Sequence, residues 1–133
     1  MKLIIYTDGG ARGNPGPAGI GVVIYNEARQ VIAEVSEFIG IATNNQAEYR
    51  ALIAAFKKAL ELGASELEFY LDSELAVKQL NREYKVKNKD LAPLFLTIHN
   101  LGIGFKKISY THITRERNQA ADRLANEAMD RGK

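Results

Sequence analysis

The sequence lacks cysteine, long apolar runs and any strong excess of charge. The absence of cysteine excludes disulfide bonds and thiolate metal sites, although it leaves the redox compartment open. No apolar run near the N-terminus is long enough for a signal-peptide core or a membrane span, so we expect a cytoplasmic protein without a membrane partner. The formal net charge is +2, which permits a nucleic-acid partner but does not indicate one.

Length and composition are those of one soluble globular domain. Of the 133 residues, 46% are hydrophobic and 26% are charged, which is an ordinary balance for such a domain. A chain of this length buries roughly two-thirds of its unfolded surface. The sequence contains no internal repeat, low-complexity tract or obvious linker. We therefore expect a single domain over residues 1–133, and a monomer without a protein partner.

The distribution of apolar and turn-forming residues predicts an α/β fold. Residues 2–8 are apolar on both faces, which is typical of a covered central strand. Segment 9–17 is dense in glycine and proline and predicts a loop, whereas 18–26 and 30–39 predict an antiparallel hairpin. The rest of the chain predicts strands at 66–71 and 106–112, and helices at 44–62, 73–81, 90–101 and 118–131. This order predicts a mixed sheet with helices packed on it.

Two acidic residues stand at the ends of apolar strands. Asp8 ends the first run, and Asp72 follows the run at 66–71. A right-handed crossover through the 44–62 helix would make these strands parallel neighbours. The two carboxylates would then lie side by side at the carboxyl ends of the strands, where ligands bind in open α/β sheets.

Two further acids lie on the apolar faces of predicted helices, whereas ordinary helices carry acids on the polar face. Glu48 begins a stripe of apolar residues at helical spacing, formed by Ala51, Leu52, Ala55 and Ala59. Asp122 is similarly surrounded by Ala121, Ala125 and Met129. Each acid alone is explained as a helix cap, a salt-bridge partner or a solvated end, but four acids with this placement indicate a common site.

Four close carboxylates require a counter-charge, because mutual repulsion and burial oppose their ionisation. Magnesium supplies such a charge, prefers oxygen ligands and often binds between protein carboxylates and substrate phosphates. Two such ions about 4 Å apart stabilise the attacking and leaving oxygens of a phosphoryl displacement. The four acids therefore predict a divalent-metal site that acts on phosphate esters.

Five segments in the same order resemble the type 1 ribonuclease H family. They are Tyr6-Thr7-Asp8-Gly9-Gly10, Gly13-Asn14-Pro15-Gly16-Pro17, Thr43-Asn44-Asn45-Gln46-Ala47-Glu48, Asp72-Ser73, and His112 ten residues before Asp122 with Asn118-Gln119-Ala120-Ala121 between them. The resemblance extends from residue 3 to about residue 128. It implies a ribonuclease H-like α/β fold with a five-stranded mixed sheet and helices on both faces. The first three strands would be antiparallel, and strands 1, 4 and 5 parallel.

The resemblance implies an endonuclease that hydrolyses the RNA strand of an RNA–DNA hybrid and leaves 5′-phosphate and 3′-hydroxyl ends. Asp8, Glu48, Asp72 and Asp122 correspond to the catalytic ligands of two divalent ions, Mg²⁺ or Mn²⁺ as a substitute. His112 corresponds to a mobile-loop histidine that assists proton transfer or product release, and its ordinary pKa suits that role.

The same resemblance implies a set of substrate contacts. The residues expected to follow the RNA strand are Arg12, Gly13 and Asn14. Those expected near the DNA strand are Thr43, Asn44 and Asn45, with helix capping as the alternative role of Asn44. Further expected contacts are Gly9, Ser73, Arg115 and Asn118. Arg117 also flanks the loop after His112 and is a weaker candidate.

Two features depart from the family pattern. The long basic protrusion of some relatives is replaced by the short stretch 82–89, which has four basic residues and one acid. This stretch either binds a DNA phosphate backbone or forms an ordinary solvated loop. Glu74 stands where glutamine is common, either as an extra carboxylate near the site or as a first-turn acid favoured by the helix dipole.

Three other functions remain as alternatives. A binding module that has lost catalysis would not need the repulsive cluster of acids. A 3′–5′ exonuclease or junction resolvase of the same superfamily would lack the Gly-Asn-Pro-Gly and Thr-Asn-Asn segments. A metal-independent ribonuclease would need a paired general acid and base, but His99 and His112 fall on different predicted elements, and His99 borders an apolar helix stripe.

Overall fold

The structure is a computed structural model that describes residues 1–133. Its strands are β1 (Lys2–Ala11), β2 (Gly16–Tyr25), β3 (Val31–Ala42), β4 (Glu66–Leu71) and β5 (Lys107–His112). Its α-helices are α1 (Asn44–Glu61), α2 (Glu74–Leu80), α3 (Ala92–Gly102) and α4 (Gln119–Arg131), with a 3₁₀ turn at Arg115–Arg117. None of the helices has the length and apolarity needed to span a lipid bilayer.

The five strands form one mixed sheet in the order β3-β2-β1-β4-β5. Strands β1, β2 and β3 pair antiparallel, whereas β1, β4 and β5 pair parallel. Leu3 of β1 pairs with Leu67 of β4, and the ladder ends at the pair Thr7 and Leu71. The predicted α/β fold class and strand directions are confirmed, and Asp8 and Asp72 follow the same ladder pair.

Helices α1 and α4 cover opposite faces of the sheet. A Cβ atom on Gly9 would lie 2.3 Å from the Ala47 carbonyl group in α1. A Cβ atom on Gly21 would lie 2.1 Å from the Ala121 carbonyl oxygen in α4. Gly21 pairs with Asp8, so these two residues face the same side of the sheet. Gly9 is the next residue after Asp8 and therefore faces the opposite side. The prediction of helices on both faces is thus confirmed.

The main hydrophobic core lies between the sheet and α1. It contains Leu3, Ile5, Leu52, Phe56 and Phe69 among its 18 buried residues. The stripe predicted from Glu48 is confirmed, since its four apolar members are completely buried: Ala51, Leu52, Ala55 and Ala59. Burial of this stripe fixes the rotation of α1 about its axis, and the rotation turns Glu48 toward the sheet.

The ends of α1 follow the capping rules. The Thr43 hydroxyl accepts a hydrogen bond from the Gln46 backbone N–H, and the Gln46 side chain accepts one from the Thr43 N–H. This capping box satisfies two backbone donors and makes Thr43 the N-cap. Gly63 follows the helix with a φ of 76°, as predicted for a C′ residue.

The prediction of a loop over 9–17 is wrong at both ends. Strand β1 continues to Ala11 and β2 begins at Gly16, so the connection contains only residues 12–15. Gly9, one of the glycines that suggested a turn, lies in the strand and leaves room for α1. Strand β3 is also longer than predicted and passes Gly40 at a φ of 80°.

Replacing Gly9 by alanine is expected to destabilise the protein by about 3 kcal/mol and to lower Tm by roughly 10 °C. The added Cβ would meet the Ala47 backbone, which cannot move without displacing α1. Gly10→Ala is the matched control, since its Cβ would find no atom closer than 3.9 Å. Thermal unfolding of both variants checks the difference, and equal Tm values would contradict the packing argument.

Candidate active site

Three carboxylates converge where β1, β4 and the start of α1 meet. One carboxylate oxygen from each of Asp8, Glu48 and Asp72 lies within 4.8 Å of the others. Asp8 and Glu48 are each only 8% exposed, whereas Asp72 is half-buried. Such a cluster of oxygen donors on three separate elements is not explained by helix capping or by a local salt bridge.

Burial and mutual repulsion oppose the ionisation of this cluster. Burial, with the charge of Asp72 as the next cause, raises the pKa of Asp8 to about 8. Burial and then the charge of Asp8 raise the pKa of Glu48 well above its ordinary value, although the Gly9 backbone amide bonds the Glu48 carboxylate and acts in the opposite direction. Two neighbouring acids are therefore held partly protonated unless a positive charge is present.

The donor set fits a hard divalent cation. Glu48 Oε2 is buried and has no hydrogen-bond partner, which leaves an acceptor free for a cation. All three clustered side chains offer oxygen, the ligand atom that Mg²⁺ and Mn²⁺ prefer. A bound cation would remove the repulsion that raises the pKa values of Asp8 and Glu48.

Asp122 lies at the edge of the cluster, in the first turn of α4. It is outside the group of three carboxylates, yet it is close enough to Asp8 to raise the pKa of that carboxyl further. Unlike Asp8 and Glu48, Asp72 and Asp122 are half-buried. Both can therefore reach a ligand from the solvent side.

The four acids line one open groove with a volume of about 540 Å³. The expected substrate contacts that also line it are Gly9, Arg12, Asn44, Asn45, Ser73 and Arg115. Four others do not line it: Gly13, Asn14, Thr43 and Asn118. Sequence reasoning missed Asn126, although its spacing of four residues from Asp122 places both on one face of α4.

A network of amides holds one side of the groove. Asn44 Oδ1 accepts a hydrogen bond of 2.8 Å from the Ala11 backbone N–H. Asn14 Oδ1 in turn accepts a bond of 3.1 Å from the Asn44 N–H. Thr43 caps α1, so the capping alternative for Asn44 is wrong. These bonds tie the β1–β2 connection to the start of α1 and fix the spacing between the two.

Arg12 and His112 are both occupied by acidic partners. Arg12 Nη1 lies 2.6 Å from Asp130 Oδ1 at the end of α4. His112 is the last residue of β5 and not part of the following loop, and its Nδ1 lies 4.0 Å from Glu74 Oε2. His112 does not line the groove, whereas Arg115 does. Arg115 is thus the cation that the loop after β5 contributes to the groove.

Asn118 lies beneath the site and is only 1% exposed. Its Nδ2 donates a 2.9 Å hydrogen bond to the Thr7 carbonyl oxygen and is 3.3 Å from Asp72 Oδ2. Since Asn118 does not line the groove, its bond to Asp72 favours a role in orienting that carboxylate over contact with a substrate in the groove.

Asn118→Ala is expected to lower kcat for metal-dependent phosphodiester cleavage by about 10- to 100-fold, the usual cost of losing a residue that orients a metal ligand. KM should change little, because the side chain does not reach the groove. Asn100→Ala, which removes an exposed amide from α3, is the control. Steady-state kinetics separate the two roles, since a raised KM with unchanged kcat would instead identify Asn118 as a substrate contact.

Comparison with known proteins places this architecture in a family. Residues 6–128 match the family described as reverse transcriptase-like. The crystal structure of the type 1 ribonuclease H of Halobacterium salinarum is 43% identical, with a TM-score of 0.96 over 98% of this chain and 99% of that one. The chain belongs to the type 1 ribonuclease H family. The chain is also 47% identical to a compost enzyme of the same type crystallised with an RNA/DNA hybrid, with a TM-score of 0.93 over 97% of each chain.

Some relatives are much longer than this chain. A bifunctional protein of Mycobacterium tuberculosis is 49% identical over 131 residues, which make up 98% of this chain and 36% of that protein. The chain thus spans about a third of the length of that relative. The match contains the whole of the groove and all four acids.

Proposed function

We propose that this ribonuclease H is an endonuclease that hydrolyses the RNA strand of RNA–DNA hybrids. The observation that carries the proposal is the cluster of Asp8, Glu48 and Asp72 within 4.8 Å, open to a groove that also contains Asp122. Relatives named as ribonuclease H and a similar enzyme crystallised with an RNA/DNA hybrid support the choice of substrate. The products would be a 5′-phosphate and a 3′-hydroxyl.

Asp8, Glu48, Asp72 and Asp122 would hold two divalent cations, with Mg²⁺ as the expected ion and Mn²⁺ as a substitute. When bound, these ions act as Lewis acids toward the scissile phosphate and lower the pKa of the attacking water. The protein contributes the orientation of its carboxylates, and Asn118 fixes Asp72 through the hydrogen bond to Oδ2. Glu48 is the carboxylate with a free buried oxygen, Oε2.

Substrate recognition would use the polar wall of the groove. Asn44, Asn45 and Ser73 present short polar side chains, which suit the wide minor groove of a hybrid and its 2′-hydroxyl groups. Arg115 supplies positive charge for a phosphate next to the acids. Arg12 would exchange its Asp130 partner for the RNA backbone. His112 would assist proton transfer or product release from its position beside Glu74.

The remaining expectations belong to the same proposal. Residues 1–133 would form one catalytic domain that works as a monomer in the cytoplasm. The stretch 82–89 is exposed at nearly every residue and contains Arg82, Lys85, Lys87 and Lys89. It would bind the DNA backbone weakly, with an affinity that falls as salt rises.

Cleavage of an RNA–DNA hybrid with end-labelled RNA tests the proposal. Reactions with Mg²⁺, Mn²⁺ or EDTA would run beside double-stranded DNA, double-stranded RNA and single-stranded RNA. Internal cuts confined to the RNA of the hybrid and dependent on metal are expected, with product ends that carry a 5′-phosphate. Binding without cleavage under either metal would identify a non-catalytic binding module instead.

A further inference from the structure

A second pocket lies on the α4 side of the sheet and shares no lining residue with the catalytic groove. We call it the tyrosine pocket; it has a volume of about 250 Å³ and is lined by Tyr6, Tyr25, Arg29, Arg117, Asn118 and Ala120. The Tyr6 ring stacks on Tyr70 with centroids 5.1 Å apart and meets the edge of Tyr25 at 5.6 Å. Proposed RNA cleavage at the acidic groove does not require this pocket.

The tyrosine pocket is positively charged. Neither Arg29 nor Arg117 forms a salt bridge, and no acidic residue lines the pocket. Glu68, an acid whose charge acts on Arg29, lies outside the lining and is paired with Lys2 Nζ at 3.0 Å. Arg29 Nη1 lies 3.4 Å from the Tyr6 hydroxyl, which holds the guanidinium against the aromatic wall. Two exposed guanidinium groups beside half-buried tyrosines favour an anionic ligand with a flat or apolar part.

The backbone at Arg29 is unusual for a charged residue. Its φ of 63° lies in the left-handed region, which glycine adopts without strain and which other residues adopt at a cost. A glycine would therefore suit the β2–β3 turn better than arginine does. The turn nevertheless places a guanidinium at the pocket.

The start of α4 opens into the same pocket. Asn118 precedes the helix but makes no capping bond, and its Nδ2 donates to the Thr7 carbonyl oxygen and to Asp72 Oδ2. Ala120, in the uncapped first turn, lines the pocket, and free N–H groups at a helix start attract phosphate. Asn118 Oδ1 is buried there and accepts no hydrogen bond. The hydroxyl group of a sugar could donate one.

We propose that the tyrosine pocket binds the phosphate group of a nucleotide. Arg29, Arg117 and the first turn of α4 bind the phosphate, the Tyr6 hydroxyl donates to it, and the tyrosine rings contact the sugar or base. The phosphate belongs either to a free mononucleotide or to a nucleic-acid strand that continues past the groove. The inference goes beyond the proposed cleavage, since it assigns a ligand to a separate site.

Nuclear magnetic resonance titration in EDTA tests the proposal without any contribution from catalysis. The probes are inorganic phosphate and a ribonucleoside 5′-monophosphate, added to the full chain. Without metal, the carboxylates of the groove repel phosphate, so saturable shifts are expected at the amides of Ala120, Tyr6 and Arg29. The monophosphate should bind more tightly than inorganic phosphate because it adds contacts to the tyrosine rings.

Variants then locate the site. Arg29→Gly combined with Arg117→Gln should weaken binding of the monophosphate by at least about 10-fold, as expected for lost charge-assisted hydrogen bonds. Glycine suits the φ of 63°, so the fold is retained. Arg82→Gly is the matched control, since Arg82 also has a positive φ, of 64°, and lies outside the pocket. Arg123→Gln removes a charge from α4 away from the pocket.

The kinetics of hybrid cleavage distinguish the two sources of the phosphate. If a nucleic-acid strand supplies it, the double variant raises KM for the hybrid; if a free nucleotide supplies it, KM is unchanged while monophosphate binding is lost. The proposal is overturned if the wild-type chain shows no saturable shifts. It is also overturned if binding survives in the double variant or weakens equally in Arg82→Gly and Arg123→Gln.

Discussion

Asp72→Asn is expected to lower kcat for hybrid cleavage by at least about 1000-fold, equivalent to about 4 kcal/mol of transition-state stabilisation. An amide has nearly the shape of the carboxylate but lacks the negative charge that the proposed cations need. Asp72 is half-buried and pairs with Asn118 Nδ2 at 3.3 Å, so the variant retains the fold. Single-turnover cleavage with saturating Mg²⁺ measures the effect on chemistry alone.

Metal-free stability provides a second measurement on the same variant. The charge of Asp72 is the second-largest cause of the raised pKa of Asp8, after burial. Removing that charge relieves repulsion, so Tm in EDTA should stay equal or rise. Glu61→Gln is the control for loss of an exposed carboxylate, and its activity should match the wild type. Undiminished cleavage by Asp72→Asn would overturn the assignment of the site, whereas a large loss of Tm would reveal a structural role.

The acids could be predicted because each one interrupts a local apolar pattern. Glu48 is the clearest case, since the buried alanines at helical spacing fix the face of α1 on which it lies. Predicting that Asp8 and Asp72 lie together needed one further step, the right-handed crossover that makes β1 and β4 parallel neighbours. For Asp122 the pattern is formed by Ala121 and Ala125, and both of these residues are buried in α4.

Features that depend on contacts between distant elements could not be predicted. Two consecutive glycines, Gly9 and Gly10, are typical of a turn. Only the approach of α1 to Gly9 explains why the strand continues through them. Similarly, no local pattern shows that Asn118 would bond Thr7 and Asp72 across the sheet. The 3₁₀ turn after β5 decides that Arg115 faces the groove, and the sequence alone does not specify its geometry.

The comparisons narrow the functional alternatives drawn from the sequence. A junction resolvase or 3′–5′ exonuclease of the same superfamily is not favoured, because close relatives along the whole chain are type 1 ribonucleases H. A metal-independent mechanism finds no histidine pair, since His99 bonds Arg82 and His112 lies beside Glu74. The binding module remains to be separated from the enzyme by the cleavage and Asp72→Asn experiments.

The metal-free protein is expected to lose stability as the pH rises from about 4 to 8. The carboxyl of Asp8 has a pKa of about 8 in the folded protein, against an ordinary value of 3.8. Between these values the folded state binds more protons than the unfolded state, so the free energy of unfolding falls with increasing pH. One such group contributes at most about 1.4 kcal/mol per pH unit, and Glu48 shifts in the same direction.

Thermal unfolding in EDTA at pH 5 and pH 8 measures this dependence, and Mg²⁺ added at pH 8 should raise Tm by binding only the folded state. Asp8→Asn is the control, because an amide at position 8 does not titrate and its neighbour Glu48 loses the charge that repels it most. The fall in Tm between the two pH values should therefore be smaller in Asp8→Asn than in the wild type. An equal fall in both proteins would assign the pH dependence to acids outside the cluster. A Tm at pH 8 that does not respond to Mg²⁺ would mean that the carboxylates do not form a cation site in the free protein.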